Sequence, residues 1–165
     1  MKKVLITLII AFSGIFTENA QVWIGGSAGA QLKSGFTVSV APEIGYSFNN
    51  SPFSIATSLN LILTGNEGSS HVYWGLIASP YVRYNLCTVG EKFNIFMDLT
   101  GDFVIPDGGY RVGLQPGIAW MATKHWTAAA RIGFMGYNQS DFFGDKGLEL
   151  SFQAAIPTIG LYYNF

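Results

Sequence analysis

Seven ionisable side chains could build a buried polar site in this sequence, because each stands at a position that alternates with apolar residues. They are Glu43, Arg83, Asp98, Asp102, Arg111, Arg131 and Glu149. Side chains two residues apart on a strand share a face, so all seven fall opposite the apolar face. An isolated buried ion is costly, and we therefore predict that these side chains pair into one structural network. The alternative is that they line a narrow, gated ion path.

A second candidate set surrounds one of the two histidines, His71 and His125. His71 lies in one polar segment with Glu67, Ser69 and Ser70, and a histidine with a serine and a carboxylate can support nucleophilic catalysis. The same composition is also that of a solvated turn, which is the interpretation we prefer. The protein is therefore predicted not to be an enzyme, with no catalytic, cofactor-binding or metal-binding residue.

The elements that must position these residues are eight stretches in which apolar and polar residues alternate, the period of a half-buried strand. Seven turn-like segments separate the stretches. They are residues 34–35, 49–52, 64–70, 88–92, 106–109, 123–125 and 138–147. Consecutive strands joined by such short connections predict an antiparallel, up-and-down arrangement.

Composition decides which side of such a sheet faces which solvent. The 165 residues suit one domain, and they are 49% apolar but only 12% charged. Soluble surfaces usually carry roughly 25–35% charged residues. After the N-terminus there is no apolar run of about 20 residues, the length that a spanning helix needs. The predicted fold class is therefore all-β, an eight-stranded antiparallel up-and-down transmembrane β-barrel.

Other totals exclude several classes of function. The formal net charge is −1, and the lysines and arginines form no cluster that would indicate nucleic-acid binding. Cys87 is the only cysteine, which rules out an intrachain disulfide and argues against a thiolate zinc or iron–sulfur site. No cofactor is predicted.

Residues 1–20 have the pattern of a secretory signal peptide. Lys2 and Lys3 give a positive start, a short apolar run follows, and small residues lead to Ala20. The run is too short to span a bilayer. We predict that residues 21–165 form the barrel domain.

Aromatic residues on the apolar face cluster beside the turns. One set flanks the second, fourth and sixth turns and the chain end: Phe48, Phe53, Tyr84, Phe93, Trp120, Trp126 and Phe165. The other lies toward the opposite rim: Phe36, Trp74, Phe103, Tyr110 and Phe134. Two aromatic belts are typical of a membrane barrel. The short turns indicate that both termini lie on the periplasmic side.

The last strand changes its facing. Leu148, Leu150 and Phe152 are apolar at even positions, whereas the apolar positions after Pro157 are odd ones. We expect an irregularity within about two residues of Pro157, since proline and bulges occur together.

The signal-like start, the eight alternating stretches and the closing IGLYYNF together resemble the small eight-stranded outer-membrane barrels of the OmpA/OmpX type, over residues 21–165. The resemblance implies a terminal assembly signal, matched by Ile159, Leu161, Tyr163 and Phe165. It also implies that outer-membrane lipids and the barrel-assembly machinery are partners. Some barrels of this group modify lipid A, which leaves that activity around His71 as an alternative function.

A barrel of eight strands is just wide enough for side chains to fill it. We therefore predict a monomer with a plugged lumen and a structural or surface-interaction role in the bacterial envelope. The longest loop carries Phe142 and Phe143 among polar residues, and this pair is a possible contact for a partner or an envelope lipid. A loop folded over the barrel rim is the alternative.

Overall fold

Alternating side chains give β-structure throughout the part of the chain that the computed structural model describes. This part comprises residues 21–32, 35–66, 72–105, 108–143, 146–151 and 158–165. The strands are β1 (Gln21–Leu32), β2 (Gly35–Ser47), β3 (Phe53–Asn66), β4 (Val72–Val89), β5 (Phe93–Ile105), β6 (Tyr110–Met121), β7 (Trp126–Arg131), β8 (Phe134–Asn138), β9 (Gly147–Ser151) and β10 (Thr158–Asn164). The predicted signal peptide, residues 1–20, lies outside the described residues.

The strands close on themselves. β1 to β6 pair antiparallel in chain order, and β10 pairs antiparallel with both β1 and β7. Two barrel strands are interrupted: β7 and β8 both pair with β6 and make the seventh, and β9 and β10 make the eighth. The predicted closed barrel of eight antiparallel strands is confirmed. Among the described residues, no helix is long and apolar enough to cross a membrane.

Side chains alternate between the outer surface and the lumen. Large apolar residues cover the outside along every strand, from Ile24 in β1 to Leu161 in β10. The strand residues with charged side chains turn inward, so within the described strands no outward position carries a charge. The outward face is therefore apolar and the lumen polar, the reverse of a soluble barrel.

The seventh barrel strand contains a bulge that regular alternation does not predict. Three residues, 132–134, stand opposite two, 115–116, between the pairs Gly117–Arg131 and Leu114–Met135. Gly133 absorbs the extra residue at a φ of 79°, a conformation that glycine adopts without penalty. The prediction that Phe134 faces outward is therefore wrong: its side chain is inside and only 2% exposed.

The eighth barrel strand also changes its facing. Leu148 is 93% exposed and Ile159 71% exposed, so even positions face outward in β9 and odd positions in β10. The change falls between Leu150 and Ile159, and residues 152–157, with Pro157, lie outside the described residues. A further bulge in β4, between Asn85 and Cys87, leaves Leu86 on the outer face.

Candidate functional site in the barrel lumen

Arg131 is the centre of the lumen network. Its guanidinium donates to Glu43 through Nη1 (3.2 Å) and Nη2 (2.9 Å), and to Asp98 Oδ2 through Nε (2.9 Å). Nη1 also donates to the Tyr162 hydroxyl and Nη2 to the Tyr81 hydroxyl, both at 2.9 Å. The bonds join β2, β4, β5, β7 and β10, so this one side chain ties together strands on all sides of the barrel.

The two carboxylates of this cluster have further donors. Arg83 holds Asp98 with a two-pronged contact, Nε to Oδ1 at 2.7 Å and Nη2 to Oδ2 at 2.8 Å, and it lies 3.7 Å above the centre of the Phe96 ring. Glu43 accepts hydrogen bonds from Ser27 (2.5 Å) and Tyr81 (2.7 Å). Paired and hydrogen-bonded burial of this kind is the condition under which charges are tolerated away from water.

A second ion pair lies nearer the loop between β8 and β9. Arg111 donates to Asp102 Oδ2 through Nε (3.1 Å) and Nη2 (2.6 Å), and Thr100 donates to Asp102 Oδ1 at 3.1 Å. The guanidinium lies between two aromatic rings, 4.1 Å from the centre of Phe134 and 4.2 Å from that of Phe143. Stacking of this kind favours arginine. The inward turn of Phe134 at the bulge supplies one of the rings.

Glu149, the seventh predicted member, stands apart from the network. It pairs in register with Gly136, and its two carboxylate oxygens are buried without a hydrogen-bond partner among the described residues. The structure thus brings six of the seven predicted side chains into ion pairs, grouped as four and two, and leaves this one unpaired within the described part of the chain.

An apolar layer fills the lumen on the side of the network that holds Gln21 and Phe165, here called the terminal end. Its members are Trp23, Ala56, Tyr81, Phe96, Ala119, Ala129 and Tyr162. Inward glycines make room for the rings, because a Cβ at Gly45 would clash with the Trp23 ring and one at Gly117 with the Phe96 ring. Trp23 and Tyr162 meet edge to face at 5.1 Å. The plug therefore has an ionic layer and an aromatic layer.

On the opposite side of the network, here called the loop end, the lumen holds a polar cavity of about 130 Å³. It is lined by serines 27, 39, 58 and 79, by Asn60, Gln115, Ile62 and Ile77, and by the charged groups of Glu43, Asp98, Asp102, Arg111 and Arg131. The Asn60 amide donates to Ser58 Oγ and Ser79 Oγ, both at 3.0 Å.

Residues 139–143 fold over the mouth of this cavity. The Phe142 ring rests on Gly75, where a Cβ would lie 2.6 Å from it, and Phe143 covers Arg111 and lines the cavity. The segment is fixed by Gln139 N donating to Tyr110 O (2.9 Å) and Ser140 N to Asn138 Oδ1 (2.9 Å). The predicted contact pair, Phe142 and Phe143, is thus directed at the barrel's own rim and lumen.

The predicted assembly residues lie on the last strand at its terminal end. Ile159 and Leu161 are exposed on the outer face, and Phe165 is exposed at the chain end. Tyr163 stacks on His125 at 5.6 Å and meets Trp126 and Phe165 edge to face at 5.2 and 5.1 Å. Asn164 N donates to His125 O at 2.7 Å, which fastens the last strand to the turn before β7.

The alternative catalytic set, Glu67, Ser69, Ser70 and His71, lies outside the described residues. Cys87 is a free, exposed thiol. Within the described part of the chain, no three histidine, cysteine or acidic side chains are arranged to hold a metal ion.

Sequence reasoning missed the hydroxyl groups that complete the network. Tyr81 lies two residues before Arg83, at an inward position by the same alternation that located the arginine, so its hydroxyl could have been expected inside. Tyr162 alternates with the outward Leu161 and Tyr163, which is again a readable signal. Thr100 lies between Asp98 and Asp102 on the same face.

Comparison with known proteins does not identify a family, so the class of this chain is described by its fold. No protein-family model matches the sequence, and no curated protein matches it significantly. The geometry defines the class as a closed, eight-stranded antiparallel β-barrel with an apolar exterior and an ion-paired lumen.

Proposed function

We propose that this chain is an integral outer-membrane β-barrel of the small eight-stranded, OmpA/OmpX-like type, with a structural or surface-interaction role in the bacterial envelope. The observation that carries the proposal is the absence of charge from the outward face of the described strands, combined with ion pairs in the lumen. A large apolar face of this kind is unstable in water. In a bilayer, a charge on it would cost roughly 2–4 kcal/mol at the midplane, so a face without charges suits contact with lipid.

The interior supports a plugged barrel rather than an ion path. Arg131 spans the lumen between Glu43 and Asp98, and Trp23 and Phe96 lie across it on the terminal side. An ion crossing this section would have to displace both a saturated ionic layer and an aromatic layer. In planar bilayers the purified protein is therefore expected not to conduct, and a steady open-state conductance would favour the gated ion path instead.

The single native cysteine allows a direct test of location and orientation. Cys87 is exposed near the terminal end of β4, the end that we propose to be periplasmic. In intact cells a membrane-impermeant maleimide is expected to leave Cys87 unlabelled and to label it once the outer membrane is permeabilised.

The matched probe is Asp141→Cys in a Cys87→Ser background, because Asp141 is exposed at the loop end. It should react in intact cells. Labelling of Cys87 but not of the Asp141 probe in intact cells would reverse the orientation. Recovery of the protein in the soluble fraction without detergent would refute the membrane location altogether.

A further inference from the structure

The plug leaves one part of the lumen unused, the polar cavity between the ionic layer and residues 139–143. Its wall includes several small hydroxyl side chains beside the apolar Ile62 and Ile77, and three of these serines, Ser39, Ser58 and Ser79, are buried. A lumen that served only as a plug would be filled by larger side chains. Serine at successive inward positions instead keeps a space lined by groups that both donate and accept hydrogen bonds.

The charged groups at the floor of the cavity are satisfied by one another. Glu43 accepts from Ser27, Tyr81, Tyr162 and Arg131, and Asp98 accepts from Arg83 and Arg131. A charged ligand would lose its hydration without gaining a free counter-ion from these residues. The remaining polar groups of the wall are hydroxyls and amides, which fit an uncharged polar ligand.

The size of the cavity and the Phe143 ring in its wall further restrict which ligands the cavity can hold. A volume of about 130 Å³ is well above the ~10–15 Å³ that a single water needs, so the cavity has room for a small solute. Phe143 adds an apolar ring surface to one wall, which suits the C–H groups of a small polyol. We propose that the cavity binds one small, uncharged polyhydroxyl solute of the size of glycerol, which enters at the loop end beneath residues 139–143.

Because the ionic and aromatic layers close the lumen beneath the cavity, a solute can bind in the cavity but cannot pass through the barrel. Residues 139–143 cover part of its mouth, where Phe142 rests on Gly75 and Phe143 on Arg111, beside the opening through which a solute would enter. The inference concerns the lumen of the folded barrel alone and does not rest on the membrane location proposed above.

The experiment is an NMR titration of the folded full-length barrel in glycerol-free detergent solution, with glycerol as the probe. The backbone amide signals of Ser39, Ser58 and Ser79 are expected to shift along a saturable curve. Ser58→Val with Ser79→Val fills the cavity with methyl groups and should weaken binding by at least about tenfold, since two hydroxyl partners are lost. Ser39→Val alone is the fallback if the double variant does not fold.

The matched control is Ser54→Val. Ser54 is a buried lumen serine on the same strand as Ser58, but it lies at the terminal end, where it hydrogen-bonds with Ser47 at 3.0 Å. This variant should bind glycerol as the wild type does. Shifts that grow linearly without saturation, or that persist unchanged in the cavity-filled variant, would overturn the proposal. Tighter saturation by acetate or guanidinium would overturn the assignment to an uncharged solute.

Discussion

Replacing Arg131 by methionine tests whether the ionic layer holds the barrel together. The substitution keeps much of the side-chain volume but removes the guanidinium that joins Glu43, Asp98, Tyr81 and Tyr162. Glu43 would then be a buried carboxylate without a cationic partner among the described residues, whereas Asp98 would keep Arg83. The damage is therefore expected to centre on Glu43.

The size of the effect follows from burial. The side chains of Arg131 and Glu43 are 7% and 1% exposed, so water cannot replace the lost partner. Removing one member of a buried ion pair typically costs about 3–5 kcal/mol. Arg111→Met is the comparison, because Arg111 has one carboxylate partner, Asp102, and faces the open cavity. Loss of its charged hydrogen bonds should cost about 1.5–3 kcal/mol.

The assay is urea unfolding of the folded barrel in lipid or detergent, followed by the fluorescence of tryptophan and by circular dichroism, with linear extrapolation to zero urea. A double-mutant cycle adds Glu43→Gln, which removes the charge that Arg131→Met leaves unpaired. The two substitutions are expected to couple by about 1–3 kcal/mol. If Arg131→Met costs no more than Arg111→Met, or if Glu43→Gln does not rescue it, the ionic layer does not have the stabilising role described above.

Three further predictions concern packing, the outer face and the bulge. Gly117→Val should lower the free energy of unfolding by about 1–3 kcal/mol or prevent folding, because its Cβ would meet the Phe96 ring. Adding Phe96→Val to the same chain should restore part of this loss in the same urea assay. Leu99 lies at an outward position in β5 and is 51% exposed, so Leu99→Arg should lower the free energy of unfolding in lipid vesicles by about 2–4 kcal/mol. Phe93→Arg, beside the turn, should lower it by about 0–1 kcal/mol. Equal, negligible losses would mean that the outer face does not lie in lipid. Gly133→Ala should lower the free energy of unfolding by about 1–2 kcal/mol, because Gly133 has a φ of 79°. The control in equilibrium unfolding is Gly101→Ala, at an outward glycine beside the Phe103 ring. If both variants are equally stable, the bulge tolerates a side chain.

Much of this barrel could be predicted from alternation, because a two-residue period assigns each side chain to the lumen or the exterior wherever the strand is regular. The inward positions of Glu43, Arg83, Asp98 and Arg111 follow in this way. Alternation alone cannot say which charges meet, since that depends on the register between strands distant in sequence. Arg131 and Glu43 are 88 residues apart, and only the closure of β10 onto β1 brings them together.

Local irregularities also limit how far alternation predicts which way a side chain faces. Proline in a strand often marks a bulge, yet β4 stays in register at Pro80, opposite Thr57, and bulges instead between Asn85 and Cys87. At the other bulge, Gly133 offered a signal, but an isolated glycine in a strand is ambiguous because it also occurs where neighbours pack closely, as Gly117 does against Phe96. A shift of one residue reverses the facing of every residue beyond it, so regular alternation predicts the wrong side for Phe134.

That bulge accounts for how one strand serves both ion pairs. In an unbroken strand Arg131 and Phe134, three residues apart, would face opposite sides, so that either the central cation or the ring under Arg111 would be lost from the lumen. The extra residue at the bulge turns both inward: Arg131 reaches Glu43 and Asp98, and Phe134 lies 4.1 Å from the Arg111 guanidinium. β6, on one side of the bulge, stays regular, whereas the barrel strand on the other side also changes its facing, from even outward positions in β9 to odd ones in β10. The two changes of facing thus lie beside each other in the barrel wall, and the residues between Ser151 and Thr158, where an irregularity near Pro157 is predicted, lie outside the described residues.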